Sequence, residues 1–432
     1  MVTKLDQWRA SSDRRRRRAE RANYRLDIQG LRAVAVLAVF AHHLWGNPAG
    51  GFTGIDVFFV ITGFFVTENL LRAAGDDGTP SLRRFYWDRL RRIVPAATVV
   101  LVLTVVASVY VLSPAATRDI GIDALFAFFF IANWHFAVAG TDIVAATDTA
   151  SPLLHYWPVS IEEQFLIVWP ALIVGVTVIA VRGAWSHTRW LASIAAATGV
   201  LVAASLTWSV YVSAASPTWA YLDTAARVWE LGVGTLLATA VGTLARIPDL
   251  LRPLLSWAGL GLIAASMFLI DGTGGFPAPW ALLPVTGAAL VIAAGVGREP
   301  TLQGLLRNRA ATYLGDLSYS LYLVHWPVIV LLAALMTVDT YFYASVLTLA
   351  FGLALACHHF VENPLRDASP AAWRQAREDM RHGLFHVELR TKVAAVAALV
   401  LITLSVISFA MRPDALESRT TPASTYPTSI NP

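Results

Sequence analysis

The segment LDIQGLRAVAVLAVFAHHLW, residues 26–45, has the length and composition of a helix that crosses a membrane. It nevertheless carries two ionisable side chains, Arg32 and His43. They are eleven positions apart, which on an ideal α-helix is close to three turns and about 16 Å along the axis, so both leave the helix on nearly the same face. Ionisable groups are costly inside a bilayer and usually face the protein interior or a water-filled cavity. Arg32 and His43 are therefore the first candidates for functional residues.

The rest of the chain shares this apolar character. Of its 432 residues, 56% are hydrophobic and only 14% are charged, against about 25% charged residues in soluble domains. Apolar stretches of about twenty residues recur along the chain. The composition predicts an all-α integral membrane protein, a polytopic helical bundle. The single cysteine, Cys357, excludes an internal disulfide.

The number of crossings follows from the apolar segments and from the charges between them. If all of these segments crossed, the later arginine-rich loops would lie outside the cell, against the positive-inside tendency. Interpreting residues 119–138, which carry Asn133, Trp134 and His135 near their end, as a re-entrant or interfacial segment corrects every later loop. The sequence thus predicts 11 transmembrane helices and one re-entrant segment in a bacterial plasma membrane, with a cytoplasmic N-terminus and an extracytoplasmic C-terminus. The apolar segments are 27–46, 54–72, 93–113, 119–138, 157–181, 190–212, 221–243, 251–271, 279–297, 311–336, 341–361 and 393–411.

The parts that flank the membrane domain are polar. The N-terminal segment contains the run RRRRR, and its position before an apolar stretch indicates a cytoplasmic anchor at the lipid surface rather than a nucleic-acid patch. The C-terminal tail is rich in Pro, Ser and Thr, which is typical of a disordered linker. The predicted divisions are a basic segment at 1–26, the membrane domain at 27–366, a basic cytoplasmic loop at 367–392, an extra final helix at 393–411 and the extracytoplasmic tail at 412–432.

A carboxylate follows early in the second apolar segment. In GGFTGIDVFF, residues 50–59, Asp56 is predicted to lie at about the level of His43, across a short Gly-rich turn. A carboxylate within hydrogen-bond reach would orient the imidazole ring and favour its charged form.

An arginine-rich motif, SLRRFYWDRLRRIVP, lies at residues 81–95 on the predicted inner side. Arg89 and Arg92 are three positions apart and therefore share one helix face. Arginine offers a planar, bidentate donor fork that suits phosphate groups. Ordinary positive-inside charge against lipid headgroups is the alternative interpretation.

Two adjacent acids occur in HYWPVSIEEQF, residues 155–165. Glu162 and Glu163 lie about one turn into a hydrophobic helix and point about 100° apart, so at most one of them is expected to face a cavity directly. Stabilisation by the N-terminal end of the helix dipole explains part of their tolerance.

A second histidine-containing span is YLGDLSYSLYLVHWPVIVL, residues 313–331. It places Tyr319, Tyr322 and His325 in one helix, with His325 near mid-depth. Aromatic belts explain tyrosines near the end of a span, but they do not explain a histidine inside the bilayer.

Several common catalytic and binding motifs do not occur in the sequence. It has no GxGxxG unit, Walker loop, HExxH, paired CxxC or GxSxG elbow. Nothing in it supports ATP hydrolysis or a structural zinc site, and no metal is expected.

Taken in order, these motifs resemble the acyltransferase-3 family of polytopic membrane O-acyltransferases. RLDIQGLRAVAVLAVFAHH, GGFTGIDVFFVITGFFVT, HYWPVSIEEQF, LGDLSYSLYLVHWP and VENPLR follow one another from residue 25 to residue 366 with consistent spacing. The family's signature of a basic residue, ten intervening residues and a histidine matches Arg32 and His43. Its cytoplasmic Arg-x-x-Arg element matches Arg89 and Arg92.

Two further family elements match with one departure each. They are a tryptophan-serine-glutamate block, with proline at 158 where serine is commoner, and a glycine-x-aspartate element, followed by threonine at 62 where serine is usual. The matching residues are Trp157, Ser160, Glu162, Glu163, Gly54 and Asp56.

The resemblance implies an enzyme that moves an acyl group, usually acetyl, from cytoplasmic acyl-CoA to a sugar hydroxyl. Members acylate sugars of cell-wall polymers, lipopolysaccharide, exopolysaccharide, glycolipids or macrolides. Many carry an extra final span that leads to an extracytoplasmic SGNH-type domain. This chain has the extra span at 393–411 but no such domain, so an SGNH-type domain or partner is left open.

On this interpretation, Arg89 and Arg92 hold the phosphates of acetyl-CoA, and its pantetheine arm passes Arg32. His43 is the general base on a sugar hydroxyl, and an acetyl-histidine relay is the other scheme that the sequence allows. The residues expected to orient His43 are Asp56, Glu162 and Glu163, and the candidates for substrate binding are Trp157, Ser160, Tyr319 and His325.

A secondary transporter or flippase for a lipid-linked sugar is the alternative function. Buried charges and aromatic residues suit a substrate pathway equally well. Transporters often show two related halves, and this chain has no convincing internal repeat.

Overall fold

The structure is a computed structural model that describes residues 25–77, 80–141, 150–272, 275–366 and 389–410. Over these ranges the chain forms helices and no β-strand. The helices are α1 (Leu26–Trp45), α2 (Gly54–Asp77), α3 (Leu82–Val111), α4 (Pro114–Phe128), α5 (Ala132–Val138), α6 (Trp157–Arg182), α7 (His187–Ala215), α8 (Pro217–Leu222), α9 (Thr224–Thr239), α10 (Val241–Leu244), α11 (Leu251–Leu269), α12 (Leu282–Ala294), α13 (Gly304–Arg307), α14 (Arg309–Ala333), α15 (Thr340–Cys357), α16 (Asn363–Arg366) and α17 (Leu389–Ala410).

Eight of the helices in the described ranges are long and apolar enough to cross a membrane. Helix α12 and the apolar part of α17 are shorter. The predicted all-α, polytopic membrane fold is confirmed, whereas the figure of 11 crossings stays a prediction. The eight are α1, α2, α3, α6, α7, α11, α14 and α15.

The predicted re-entrant segment is not one continuous helix. Helix α4 has 15 residues and α5 has 7, and both are shorter than the roughly 20 residues that a span needs. Between them Phe130 adopts a left-handed conformation with φ of 57°. The side-chain amide of Gln164 donates to the carbonyl of Phe130 at 2.8 Å, and the backbone amide of Ala132 donates to the hydroxyl of Ser160 at 3.2 Å. Protein groups thus satisfy the interrupted backbone, as a non-spanning segment at membrane depth requires.

Helix α1 packs against both α2 and α14. It runs parallel to α14, because Gly315 packs on the backbone of Gln29 near the beginning of both helices and His43 meets His325 further along. The Cβ atom of any other residue in place of Gly315 would collide with the backbone of Gln29. This close crossing aligns the two helices that carry the histidines.

Helix α2 packs on α9 through a second close crossing. Gly63 packs against the carbonyl of Leu231, and Gly234 packs against the carbonyl of Val60. Lipid does not drive apolar helix faces together as water does, so close approach at small residues supplies much of the association energy. The crossing brings the first turns of α2 and α9 into contact.

The predicted flanking segments are only partly covered by the described residues. The basic segment 1–26 and the loop 367–392 lie almost entirely outside them, and the tail 412–432 lies wholly outside. The predicted final helix 393–411 corresponds to α17, which packs against α15.

Candidate active site

A cavity of about 1120 Å³ lies between α1, α2, α3, α6 and α14. Eight arginines line it, against three acids. A concave site with an excess of one charge concentrates ligands of the opposite charge, so this cavity suits a polyanion. The arginines are Arg25, Arg32, Arg72, Arg84, Arg89, Arg91, Arg92 and Arg366, and the acids are Asp88, Glu162 and Glu163.

The cavity has two distinct ends. At the first, which we call the arginine end, Arg72 and Arg366 line it where α2 and α16 finish. At the opposite, deep end, the lining residues include Ile55, Pro158 and Tyr322. Ile55 and Pro158 stand at the beginning of α2 and α6. Tyr322 lies in the second half of α14, which begins at the arginine end.

Arg89 and Arg92 both line the cavity, but their surroundings differ. Arg89 is already paired, since its Nε and Nη2 lie 2.9 and 2.6 Å from Oε1 of Glu163. Arg92 lies among the like charges of Arg32, Arg89 and Arg366, which the opposite charge of Glu362 offsets only in part. Its Nε is buried without a hydrogen-bond partner among the described residues. Of the two, Arg92 is therefore the arginine better disposed to receive a phosphate.

Arg32 and both predicted glutamates also line the cavity. Nη1 of Arg32 donates to Gln29 at 3.0 Å, and the hydroxyl of Thr62 donates to Glu162 at 3.0 Å. The expectation that at most one of the two acids faces a cavity is therefore wrong. Glu163 forms an ion pair with Arg89, and neither acid orients His43.

His43 instead meets His325 of α14. Its Nδ1 lies 2.8 Å from Nε2 of His325, and the two rings stack with their centroids 5.1 Å apart. Nδ1 of His325 lies 2.6 Å from the backbone carbonyl of Tyr322, which can only accept a hydrogen bond. His325 therefore carries its proton on Nδ1, and in the neutral ring its Nε2 accepts from Nδ1–H of His43. This arrangement leaves Nε2 of neutral His43 unprotonated, which is the form that a general base requires.

Asp56 does not lie at the level of His43, contrary to the prediction. The chain that follows α1 turns back along it, so Gly54 packs on the backbone of Ala35, about 12 Å before His43 along the helix. Helix α2 continues away from His43, and Asp56 pairs with Nη2 of Arg227 at 2.9 Å. The predicted contact between Asp56 and His43 is therefore wrong.

Arg227 belongs to a buried ion cluster that the sequence analysis missed. Its Nη1 lies 2.9 Å from Oε1 of Glu230, and the side chains of Arg227, Asp56 and Glu230 are at most 1% exposed. The signal was present, because an arginine and a glutamate one turn apart interrupt the apolar segment 221–243. Four aromatic rings surround the guanidinium with centroids 5.2–5.7 Å away, those of Phe59, Trp157, Tyr221 and Phe276.

The predicted substrate-binding residues have different settings. Trp157 is buried as one wall around Arg227 and is 3% exposed. The hydroxyl of Ser160 accepts from the backbone amide of Ala132 at 3.2 Å and so holds the beginning of α5. Tyr319 lines the cavity. Of these three residues, Tyr319 is thus the one that lines the cavity. Trp157 packs against Arg227, and Ser160 bonds to the backbone.

Tyr322 connects the cavity to the histidine pair. It lines the deep end, and its carbonyl accepts from His325. Its hydroxyl donates to the backbone carbonyl of His155 at 2.6 Å, and Nε2 of His155 donates to the carbonyl of Leu323 at 3.0 Å. Neither Tyr322 nor His155 was among the residues predicted to form the site. Within the described part of the chain, the cavity lining contains Tyr322 and not the two histidines behind it.

Across the described ranges, no group of three or more histidine, cysteine or acidic side chains is arranged to hold a metal ion.

The family model and the known proteins that match this chain agree in their described activity. A family model described as an acyltransferase domain matches residues 25–359, a range that contains every predicted site residue. The chain is 32% identical to the putative peptidoglycan O-acetyltransferase YrhL of Bacillus subtilis over 356 residues, which are 78% of this chain and 54% of that protein. It is 30% identical to the peptidoglycan O-acetyltransferase OatA of Listeria monocytogenes over 354 residues, 78% of this chain and 55% of that protein.

A third relative is more distant. The putative O-acetyltransferase SAR0937 of Staphylococcus aureus is 28% identical over 378 residues, 83% of this chain and 60% of that protein. The chain thus spans little more than half the length of the curated relatives that it matches. No solved structure matches it.

Proposed function

The chain belongs to the acyltransferase-3 family, and from this premise we propose that it is a membrane O-acetyltransferase. The donor is acetyl-CoA bound from the cytoplasm, and the acceptor is a hydroxyl group of an extracytoplasmic saccharide. Two of the relatives are named for peptidoglycan, which supports a cell-wall sugar as the acceptor. The relatives' names favour an acetyltransferase over a transporter or flippase.

One observation carries the proposal, namely an arginine-lined cavity whose deep end is formed by the residue that hydrogen-bonds to the histidine pair. Coenzyme A carries a pyrophosphate and a 3′-phosphate at one end and the thioester at the other. The arginine end suits the phosphates, because guanidinium groups bind them bidentately. The same charges favour the cytoplasmic side for this end of the bundle. The thioester then points toward Tyr322 and His43.

The chemistry follows from the protonation of the histidine pair. Nε2 of His43 accepts the proton of the saccharide hydroxyl while the hydroxyl oxygen attacks the thioester carbonyl. The carbon–sulfur bond breaks, the saccharide ester forms, and the proton passes from His43 to the thiolate of coenzyme A. His325 stabilises the charged form of His43 by accepting from its Nδ1. In an acetyl-histidine relay, the same Nε2 would carry the acetyl group between donor and acceptor.

A direct test uses the purified protein in lipid nanodiscs with isotopically labelled acetyl-CoA and peptidoglycan fragments. We expect labelled acetyl ester on a saccharide hydroxyl, detected by mass spectrometry and removed by mild base. Free coenzyme A should appear in equal amount. A protein that binds no acetyl-CoA and moves unmodified lipid-linked saccharide across the bilayer would refute the proposal in favour of transport.

The two arginines of the Arg-x-x-Arg element are expected to respond differently to substitution. A hydrogen bond to a charged group contributes about 1.5–3 kcal/mol, so Arg92→Ala should raise the KM for acetyl-CoA by about 10- to 100-fold with a smaller change in kcat. Arg89→Ala leaves Glu163 without its partner, and it should also lower the melting temperature.

Arg83→Ala is the matched control, because Arg83 is an exposed arginine on α3 that does not line the cavity. Its KM should stay within about twofold of the original value, since exposed charges contribute little. Equal KM values for Arg92→Ala and Arg83→Ala would contradict the assignment of the phosphate site.

A further inference from the structure

We propose that Tyr322 closes the deep end of the cavity and sets the length of the acyl group that the enzyme transfers. This inference rests on the proposed function, since it concerns the acyl part of the donor. It is carried by the position of Tyr322, whose ring lines the deep end of the cavity and lies beside that of His325, with the ring centroids 5.4 Å apart.

The polarity of the lining changes along the cavity. The arginines lie toward one end, and the deep end is lined by the apolar and aromatic side chains of Ile55, Phe59, Pro158 and Val159 together with the ring of Tyr322. Phosphates are therefore held at the arginine end, and the acyl group extends into the apolar end. The last side chains that an acyl chain meets belong to α2, α6 and α14.

Buried hydrogen bonds hold the ring of Tyr322 in place. The hydroxyl of Tyr322 donates to the carbonyl of His155 at 2.6 Å, and His155 is itself bonded to the carbonyl of Leu323. Tyr322 is buried, with 8% of its surface exposed. Its ring can leave this position only by breaking a buried hydrogen bond, which costs about 1–3 kcal/mol when the partner is left unsatisfied. Tyr322 therefore acts as a fixed stop.

The volume of the Tyr322 ring is expected to have a large effect on which acyl chains fit. A hydrophobic pocket discriminates between groups that differ by one methylene by about 10- to 200-fold. Inserting carbon atoms into a packed site also forces side chains off their preferred rotamers. An acetyl group ends in one methyl and fits before the ring, whereas a longer chain needs the volume that the ring fills.

The experiment compares acetyl-, butyryl- and hexanoyl-CoA as donors for the protein in nanodiscs and measures kcat/KM for each. In Tyr322→Ala the ratio of hexanoyl to acetyl transfer should rise at least about tenfold. Tyr322→Leu should give a smaller rise, because leucine fills more of the space. Tyr322→Phe keeps the ring but lacks the hydroxyl that holds it, so its ratio should rise less than that of Tyr322→Leu.

Phe65→Ala provides the control for an aromatic ring lost elsewhere in the same cavity, nearer the arginine end. Its chain-length ratio should not change. An unchanged ratio in both Tyr322→Ala and Tyr322→Leu, each shown to be folded by its melting curve, would overturn the inference. So would an equal rise in Tyr322→Phe or Phe65→Ala. If the original protein transfers no acyl group from any of the three donors, the proposed function itself fails.

Discussion

Replacing His43 with alanine is expected to reduce acetyl transfer by about 100- to 10,000-fold, the usual effect of losing a general base. The structure leaves Nε2 of His43 unprotonated, because Nδ1 of the same ring is held by His325. No lining residue of the cavity is altered, so binding of acetyl-CoA should stay close to its original value. Product formation at saturating acetyl-CoA and equilibrium binding of the donor, measured on the same nanodisc preparation, separate the two effects.

His42→Ala is the matched control for this prediction. His42 is adjacent, and its Nδ1 lies 3.2 Å from the carbonyl of Pro48 rather than at His325. We expect a loss in activity much smaller than that of His43→Ala. Equal losses in the two variants, or near-normal transfer by His43→Ala, would contradict the assignment of the base.

The pairing of His43 with His325 predicts that the two histidines act as one unit. His325→Phe removes the acceptor for Nδ1–H of His43 and should lower kcat more than it changes the KM for acetyl-CoA. Residues that act as a unit show strongly non-additive effects. The kcat of the double variant His43→Ala, His325→Phe should therefore be little lower than that of His43→Ala alone. Additive losses would indicate that the two histidines act independently.

The sequence allowed the arginine side of the site to be predicted because helical periodicity determines which residues share a face. Arg32 lies in the second turn of α1, and Arg89 and Arg92 are about one turn apart on α3. All three line the cavity. Periodicity is a local property, so predicting which side chains share a helix face required no knowledge of the neighbouring helices. The same reasoning identified His43 and His325 as costly residues inside an apolar helix.

The partner of His43 could not be predicted in this way. His43 and His325 are separated by 282 positions, and they meet because α1 and α14 run parallel through a glycine crossing. Asp56 was placed wrongly for a related reason. The expected level of Asp56 assumed a simple turn, whereas the chain folds back along α1 until Gly54 reaches Ala35. Loop paths and helix partners depend on tertiary packing, which residue spacing does not contain.

Arg227→Met is expected to lower the free energy of unfolding by about 3–5 kcal/mol, the usual cost of removing one partner from a buried ion pair. Asp56 and Glu230 would then share a buried site with no cation between them. The favourable contacts of the guanidinium with its surrounding aromatic rings would also be lost. Unfolding of the protein in mixed detergent micelles measures the change.

Removing all three charges of the cluster distinguishes the effect of unpaired charge on stability from the effect of packing. In the triple variant Asp56→Asn, Arg227→Met, Glu230→Gln, no buried charge is left unpaired, so most of the lost stability should return. Arg182→Met, on an exposed arginine at the end of α6, should change stability by less than about 0.5 kcal/mol. Because α2 and α9 carry the cluster and α2 also lines the donor cavity, restored stability should be accompanied by restored acetyl-CoA binding. A triple variant that is no more stable than Arg227→Met would show that the cluster contributes through the shape of Arg227 rather than through its charge.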